Sequence, residues 1–202
     1  MLEFARGAKR NAVSITPHPA ASTTPELIVA LTGFMGSGKT ATGSALAELL
    51  GWVFVDLDEE IEREQQVPIR RLFWERRETA FRAIEHDALR ACLVRASKPT
   101  VVALGGGAFV QANNVELLRA NAVRTVFLET PVEEMLTRCA VEDKPDPENP
   151  RPLAADASAF RALYEQRLPF YRAADVTIET LGKLVEDVAR EIAERLKLTA
   201  HR

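Results

Sequence analysis

Eight residues, Gly33-Phe34-Met35-Gly36-Ser37-Gly38-Lys39-Thr40, hold three glycines, a lysine and a hydroxyl in the order G-x-x-x-x-G-K-[ST]. Glycines let a backbone curl so that several N–H groups point inward at phosphate oxygens. A helix beginning near Gly38 adds the positive end of its dipole. Lys39 has the reach for β- and γ-phosphates, and the Thr40 hydroxyl can ligate Mg²⁺. The context matters as much as the motif. Apolar Leu27-Ile28-Val29-Ala30-Leu31 comes directly before, and the helix-like Ala41 to Leu50 directly after. The spacing therefore predicts a bound nucleoside triphosphate, held by Gly36, Ser37, Gly38, Lys39, Thr40 and Ala41.

Further residues have the types needed to serve a bound nucleotide. Asp56-Leu57-Asp58 ends a second apolar stretch. In extended backbone, positions i and i+2 project to one side, so one carboxylate can hold Mg²⁺ and the other can orient an acceptor hydroxyl or take its proton. An alternative is that Asp58 caps a helix starting at Glu59. Gly105-Gly106-Gly107 follows a third apolar stretch. There glycine permits positive φ or a close approach of backbone to ligand, although a tight strand-to-helix turn reads equally well. Arg82, Arg151 and Arg167 stand in FRxxE, RPL and RLPFY settings. Each alone could be a solvated charge. A carboxylate-bearing substrate would use bidentate arginine, and a transferring phosphoryl group would use a cation from a lid.

The elements that must position these groups alternate along the chain. Strands are expected at Leu27–Leu31, Trp52–Val55, Thr100–Leu104, Val123–Leu128 and Val176–Ile178. Helices are expected at Gly38–Leu50, Asp58–Gln66, Glu78–Ala96, Pro131–Ala140, Ala159–Ala173 and Leu181–Leu198. Val141 to Ala157, rich in Pro, Asp, Glu and Asn, reads as a mobile loop. Buried strands alternating with helices predict an α/β fold, a parallel sheet with helices on both faces. Ligands in such sheets bind beyond the carboxyl ends of the strands. That edge is where the phosphate loop, the two aspartates and the triple glycine should meet.

These elements, in this order, resemble the shikimate kinases across about residues 27 to 180. The resemblance rests on GFMGSGKT, Asp56-x-Asp58, FRxxE at 81 to 85, the glycines at 105 to 107, RPL at 151 to 153, and Arg167 with Pro169 and Tyr171. It implies a three-layer P-loop kinase fold of the nucleoside monophosphate kinase class, with a five-stranded parallel sheet and a mobile lid at about 142 to 157. It also implies ATP-dependent phosphorylation of the shikimate 3-hydroxyl, in aromatic amino-acid biosynthesis. By the same resemblance, Lys39 contacts the β- and γ-phosphates, Thr40 ligates Mg²⁺, and Asp56 holds that ion through water. Asp58 binds the substrate hydroxyls and is the candidate base. Arg82 and Arg167 clamp the carboxylate, Gly106 and Gly107 lie beside the ring, and Phe73 and Phe81 form an apolar wall. Arg151 arrives from the lid, and Arg138 packs on adenine. Three departures stand out. The lid carries a longer acidic stretch, Glu142 to Asn149. Arg77 occupies a place where many relatives have glycine, at an expected substrate-side turn. Glu179-Thr180-Leu181-Gly182 replaces the Arg-x-Pro element that often flanks adenine.

Composition narrows the classes. The 202 residues suit one domain, residues 26–202, after an N-terminal extension of 25 residues read as disordered. Net charge is −3 and 27% of residues are charged, which implies no nucleic-acid partner. Arginines number 20 against 6 lysines, a choice that suits planar anion recognition but equally a compositional bias. Two cysteines without metal-ligand spacing point to a reducing, cytoplasmic setting. No apolar run reaches a membrane span. The expectation is a monomer acting on shikimate and ATP. A kinase for another small hydroxy acid such as gluconate, or a non-catalytic small-acid sensor, remains open at this point.

Overall fold

The computed structural model describes residues 27–142 and 156–200, without the side chains at 70, 73–75, 77, 141 and 142. Five strands form one sheet: β1 (Ile28–Thr32), β2 (Val53–Asp56), β3 (Thr100–Ala103), β4 (Arg124–Glu129) and β5 (Val176–Glu179). Their order is β2-β3-β1-β4-β5, and every pairing is parallel. The first strand in sequence is thus central, flanked by β3 and β4. Seven helices accompany the sheet among the described residues: α1 (Lys39–Leu50), α2 (Leu57–Gln65), α3 (Ile69–Arg95), α4 (Ala112–Ala120), α5 (Val132–Glu142), α6 (Ala157–Tyr171) and α7 (Val185–Leu196).

Strand alternation divides the core in two. Ile28 and Ala30 face one cluster, and Val29 and Leu31 face the other. The first cluster joins Leu57, Ile61, Leu89, Phe109, Phe127, Met135, Phe160 and Tyr171 under α2 to α6. The second joins Leu46 and Leu50 of α1 to Val188, Ile192 and Leu196 of α7. In α7 the buried residues Val188, Ala189, Ile192, Ala193 and Leu196 recur at helical spacing and fix its inward face. Each large apolar side chain buried this way stabilises the fold by roughly 1.5–3 kcal/mol.

The five expected strands are present, with small boundary shifts. The helices depart more. α3 begins at Ile69, nine residues before the expected Glu78, and runs unbroken for 27 residues. Arg77 therefore lies inside a helix, and the expected turn beside it does not form. A short 3₁₀ turn (Ala108–Val110) and α4 fill a stretch for which no element was expected. α7 starts at Val185 rather than Leu181, because Thr180 to Lys183 closes a turn through Lys183 N–H to Thr180 O at 3.2 Å. The N-terminal extension and most of the expected lid, with Arg151, lie outside the described residues.

Candidate active site

The phosphate-loop residues leave the carboxyl end of central β1 and return as α1. Gly36 and Gly38 have φ of 75° and 87°, which L side chains rarely adopt, and Gly38 is the N-cap of α1. At Gly36 space is as restrictive as angle. An added Cβ would lie 2.9 Å from both Cys139 Sγ and the Met135 carbonyl oxygen. Gly36→Ala is therefore expected to lower stability by about 1–3 kcal/mol, read as a drop in melting temperature. An unchanged melting curve would mean that the loop relaxes without strain.

Lys39, the first residue of α1, folds back over its own loop, and its Nζ donates to Phe34 O at 2.9 Å. Desolvation lowers its pKa, while the charges of Asp58 and then Asp56 work in the opposite direction. Next to it, Thr40 Oγ1 donates to Asp56 Oδ2 at 2.7 Å. The other Asp56 oxygen accepts from Asp58 N–H (3.0 Å) and Glu59 N–H (3.4 Å). Asp56, not Asp58, is therefore the cap of α2. The chain turns helical at Leu57, so the two aspartates are not an extended i, i+2 pair. They still converge on Lys39. Asp58 is half-buried, and its pKa is pushed up to about 6, mainly by burial and against the pull of Lys39.

Gly105-Gly106-Gly107 leaves β3 beside this group. None of the three has positive φ; close approach is what they supply. A Cβ at Gly107 would lie 2.4–2.6 Å from the Arg82 guanidinium, so the arginine head lies flat against that backbone. Arg82 Nη1 donates to Glu85 Oε2 at 2.9 Å, and Nη2 reaches Glu78 Oε1 at 3.3 Å. Arg82 also lies 5.3 Å over the Phe81 ring. Phe81 itself is buried in the core, 3% exposed, so its link to the site is through that arginine. Arg167 of α6 comes from the opposite side. Its Nη1 donates to Gly106 O at 3.3 Å, and its head lies 5.7 Å over the Phe34 ring. Both arginines are half-buried and face the triple glycine, unlike solvated surface charges.

Arg138 of α5 lies on the phosphate loop, with Nη1 donating to Gly36 O at 3.1 Å and Nη2 paired with Glu134. Ser37 is buried within that loop, and Ala41 is exposed in the first turn of α1. Phe73 falls on α3, but its side chain, like Arg151, is outside the described residues.

Two residues enter the site that the sequence reading did not single out by role. Glu85 is 1% exposed, and burial raises its pKa against the pull of Arg82. It holds Arg82 at i, i+3 spacing, which FRxxE already displays. Tyr171 is fully buried, and its hydroxyl donates to Gly106 O. It follows Arg167 by four residues on the same helical face.

One sheet edge thus gathers a glycine-rich loop, a lysine, two carboxylates and two arginines. This set can bind a polyphosphate, accept a proton from a hydroxyl and hold a carboxylate. For Mg²⁺ the fit rests on Thr40 and Asp56. Among the described residues no group of three His, Cys, Asp or Glu side chains could hold a metal. A hydroxyl and one carboxylate, completed by phosphate and water oxygens, is the ligation Mg²⁺ favours.

Comparisons with known proteins agree with this arrangement. The family model for shikimate kinase matches residues 35–197. A shikimate kinase from Moorella thermoacetica is 39% identical, with 84% of this chain and 94% of that protein covered. The structure of shikimate kinase from Acinetobacter baumannii in complex with shikimate superposes with a TM-score of 0.75 at 38% identity, covering 85% of this chain and 93% of that one. A gluconokinase from Sinorhizobium meliloti, at 20% identity and a TM-score of 0.55, with 88% and 98% covered, shares the fold alone.

Proposed function

The chain belongs to the shikimate kinase family, and from that premise we propose that it transfers the γ-phosphoryl group of ATP to the 3-hydroxyl of shikimate. The observation that carries this reading is the pair of half-buried arginines, Arg82 and Arg167, meeting at Gly106 and Gly107, next to Gly105 against which Asp58 lies. A substrate with a carboxylate at one end and a hydroxyl at the other matches that spacing of charges. The set a catalyst needs is retained, which argues against a degenerate sensor.

In this mechanism the loop amides and Lys39 hold the β- and γ-phosphates. Thr40 and Asp56 would hold Mg²⁺, which when bound neutralises charge on the phosphate oxygens. Arg82 and Arg167 fix the shikimate carboxylate, so that the ring lies along Gly106 and Gly107 with its hydroxyl at Asp58. Asp58, with a pKa near 6, is mostly ionised at neutral pH and accepts the hydroxyl proton. The freed oxygen forms the new bond to phosphorus as the bond to ADP breaks, and the electron pair leaves with ADP. Arg138 would lie against the base, and Arg151 would reach the γ-phosphate from the lid. Phe73 would join the apolar wall. The enzyme so read works as a monomer in the cytoplasm, where Cys92 and Cys139 stay reduced, outside any disulfide. No described helix is long and apolar enough to cross a membrane.

Coupled measurement of ADP release with shikimate, quinate and gluconate in parallel tests the reading. Shikimate should dominate, and preferred turnover of gluconate would overturn the assignment. Changing Arg82 or Arg167 to Lys keeps charge but loses the planar fork. Each should weaken shikimate binding by about 1.5–3 kcal/mol while ATP binding stays near wild type. Calorimetry with equal losses for both ligands would remove these arginines from the carboxylate site.

A further inference from the structure

Ser37 has an unusual backbone situation. It stands between Gly36 and Gly38, which have φ of 75° and 87° and add no side chain to fix the adjoining peptides. Its N–H donates to Phe34 O at 3.2 Å. Its carbonyl accepts from the hydroxyl of Thr130 at 3.3 Å, across 93 residues of sequence. The Ser37 hydroxyl is buried and has no hydrogen-bond partner among the described residues. The backbone of this loop residue is therefore oriented from outside the loop by Thr130.

Thr130 is itself held. Its hydroxyl lies 2.7 Å from that of Thr180, and the two are 1% and 5% exposed. They directly follow Glu129 and Glu179, the last partners in the β4–β5 register. Thr180 N–H donates to Glu129 O at 3.1 Å, one more rung of the same ladder. Hydroxyl protons are limited to one each. A chain in which Thr180 donates to Thr130, and Thr130 to the Ser37 carbonyl, uses both protons. It also leaves the buried carbonyl satisfied. Neither threonine faces the Asp58 and Gly105–107 side of the site, because β4 and β5 lie on the opposite flank of β1 from β2 and β3.

We propose that Thr130 and Thr180 are positioning residues for the nucleotide. Their hydroxyl chain locks the Ser37 peptide into the orientation in which the phosphate loop receives phosphate. This rests on the phosphate-loop reading above and adds to it a device in the two strands β4 and β5. The role is directed at nucleotide, since the hydroxyl chain ends on the Ser37 carbonyl inside the phosphate loop.

The test uses the full chain and Val substitutions, which keep shape and remove the hydroxyl. Thr130→Val should weaken ADP binding, measured by calorimetry, by roughly 3- to 10-fold, the effect of one net hydrogen bond. Shikimate binding should stay within about twofold. Thr180→Val should change ADP binding in the same direction but less, because Thr130 still reaches Ser37. Thr130→Ser should restore ADP affinity. Wild-type ADP affinity in both Val variants, or equal losses for ADP and shikimate, would overturn the proposal. If Thr130→Val does not fold, Thr180→Val decides alone by the same criteria. The readout does not depend on the acceptor. A wild-type protein that binds ADP but fails to phosphorylate shikimate would count against the functional reading and leave this one standing.

Discussion

Lys39→Met should cut turnover by at least about 10²-fold, the scale of losing one electrostatic donor to a transition state, while leaving the fold intact. Methionine keeps most of the apolar stem and removes the charge together with the hydrogen bond to Phe34 O. Two effects of that loss add. The cation that tracks charge on the transferring phosphoryl group disappears. Asp58 also loses its largest favourable charge, since Lys39 opposes the upward shift caused by burial. The Asp58 pKa should then climb further and leave less carboxylate at neutral pH. The fold should tolerate the change, because the ammonium is desolvated where it lies and a thioether carries no such penalty. Steady-state rates and a melting curve together check this. Near-normal turnover would sink the phosphate-loop assignment.

Much of the fold was legible because its signals are local. Each buried strand is a short apolar run, and four of the helices carry apolar spacing or end at a glycine or proline. The N-terminal part of α3 was not legible. Its sequence, Ile-Arg-Arg-Leu-Phe-Trp-Glu-Arg-Arg, alternates charge and bulk without a clear apolar face, with Leu72 its buried residue of known exposure. α4 was missed for another reason. The face it turns inward carries Asn114, fully buried, where an apolar residue would have marked a helix. Asn114 is satisfied by Ala108 O at 3.0 Å and by His86 Nδ1 at 2.8 Å, partners that only the tertiary structure supplies.

The site shows the same division. Residue types and order announced the phosphate loop, the aspartates and the arginines. Their division of labour needed coordinates. Sequence allowed Asp58 to be the helix cap, yet Asp56 has both oxygens committed, to Thr40 and to the start of α2. That leaves Asp58 as the carboxylate open to a substrate hydroxyl, with a pKa that burial raises to about 6. Of the two uses that sequence allowed the triple glycine, unusual φ and close approach, the structure shows close approach, by Arg82. Close approach depends on what arrives from α3, which no local window of sequence reveals.

Asp58→Asn should lose function and gain stability, in opposite directions with pH. Removing the proton acceptor should lower turnover by at least about 10²-fold. In wild type, kcat/KM should fall below about pH 6, where Asp58 takes up a proton. The stability effect follows from the same burial. An acid whose pKa rises from 3.8 to about 6 on folding ionises more readily in the unfolded chain. Wild-type stability from this group is therefore full below about pH 4, falls as pH rises to 6, and stays level above. Asparagine has no charge to desolvate and escapes that loss. The variant should gain of order 1–3 kcal/mol over wild type at pH 7.5, and the gain should shrink toward pH 4.5. Asp56→Asn should behave differently. It should raise the Mg²⁺ concentration needed for half-maximal rate, because Asp56 faces Thr40 rather than an acceptor. Rates against Mg²⁺, with melting curves at the two pH values, separate the carboxylates. The same Mg²⁺ dependence in both variants would remove their division of labour. If Asp58→Asn proves less stable than wild type at pH 7.5, Asp58 is anchored by contacts worth more than its desolvation, and so is not the poised base described here.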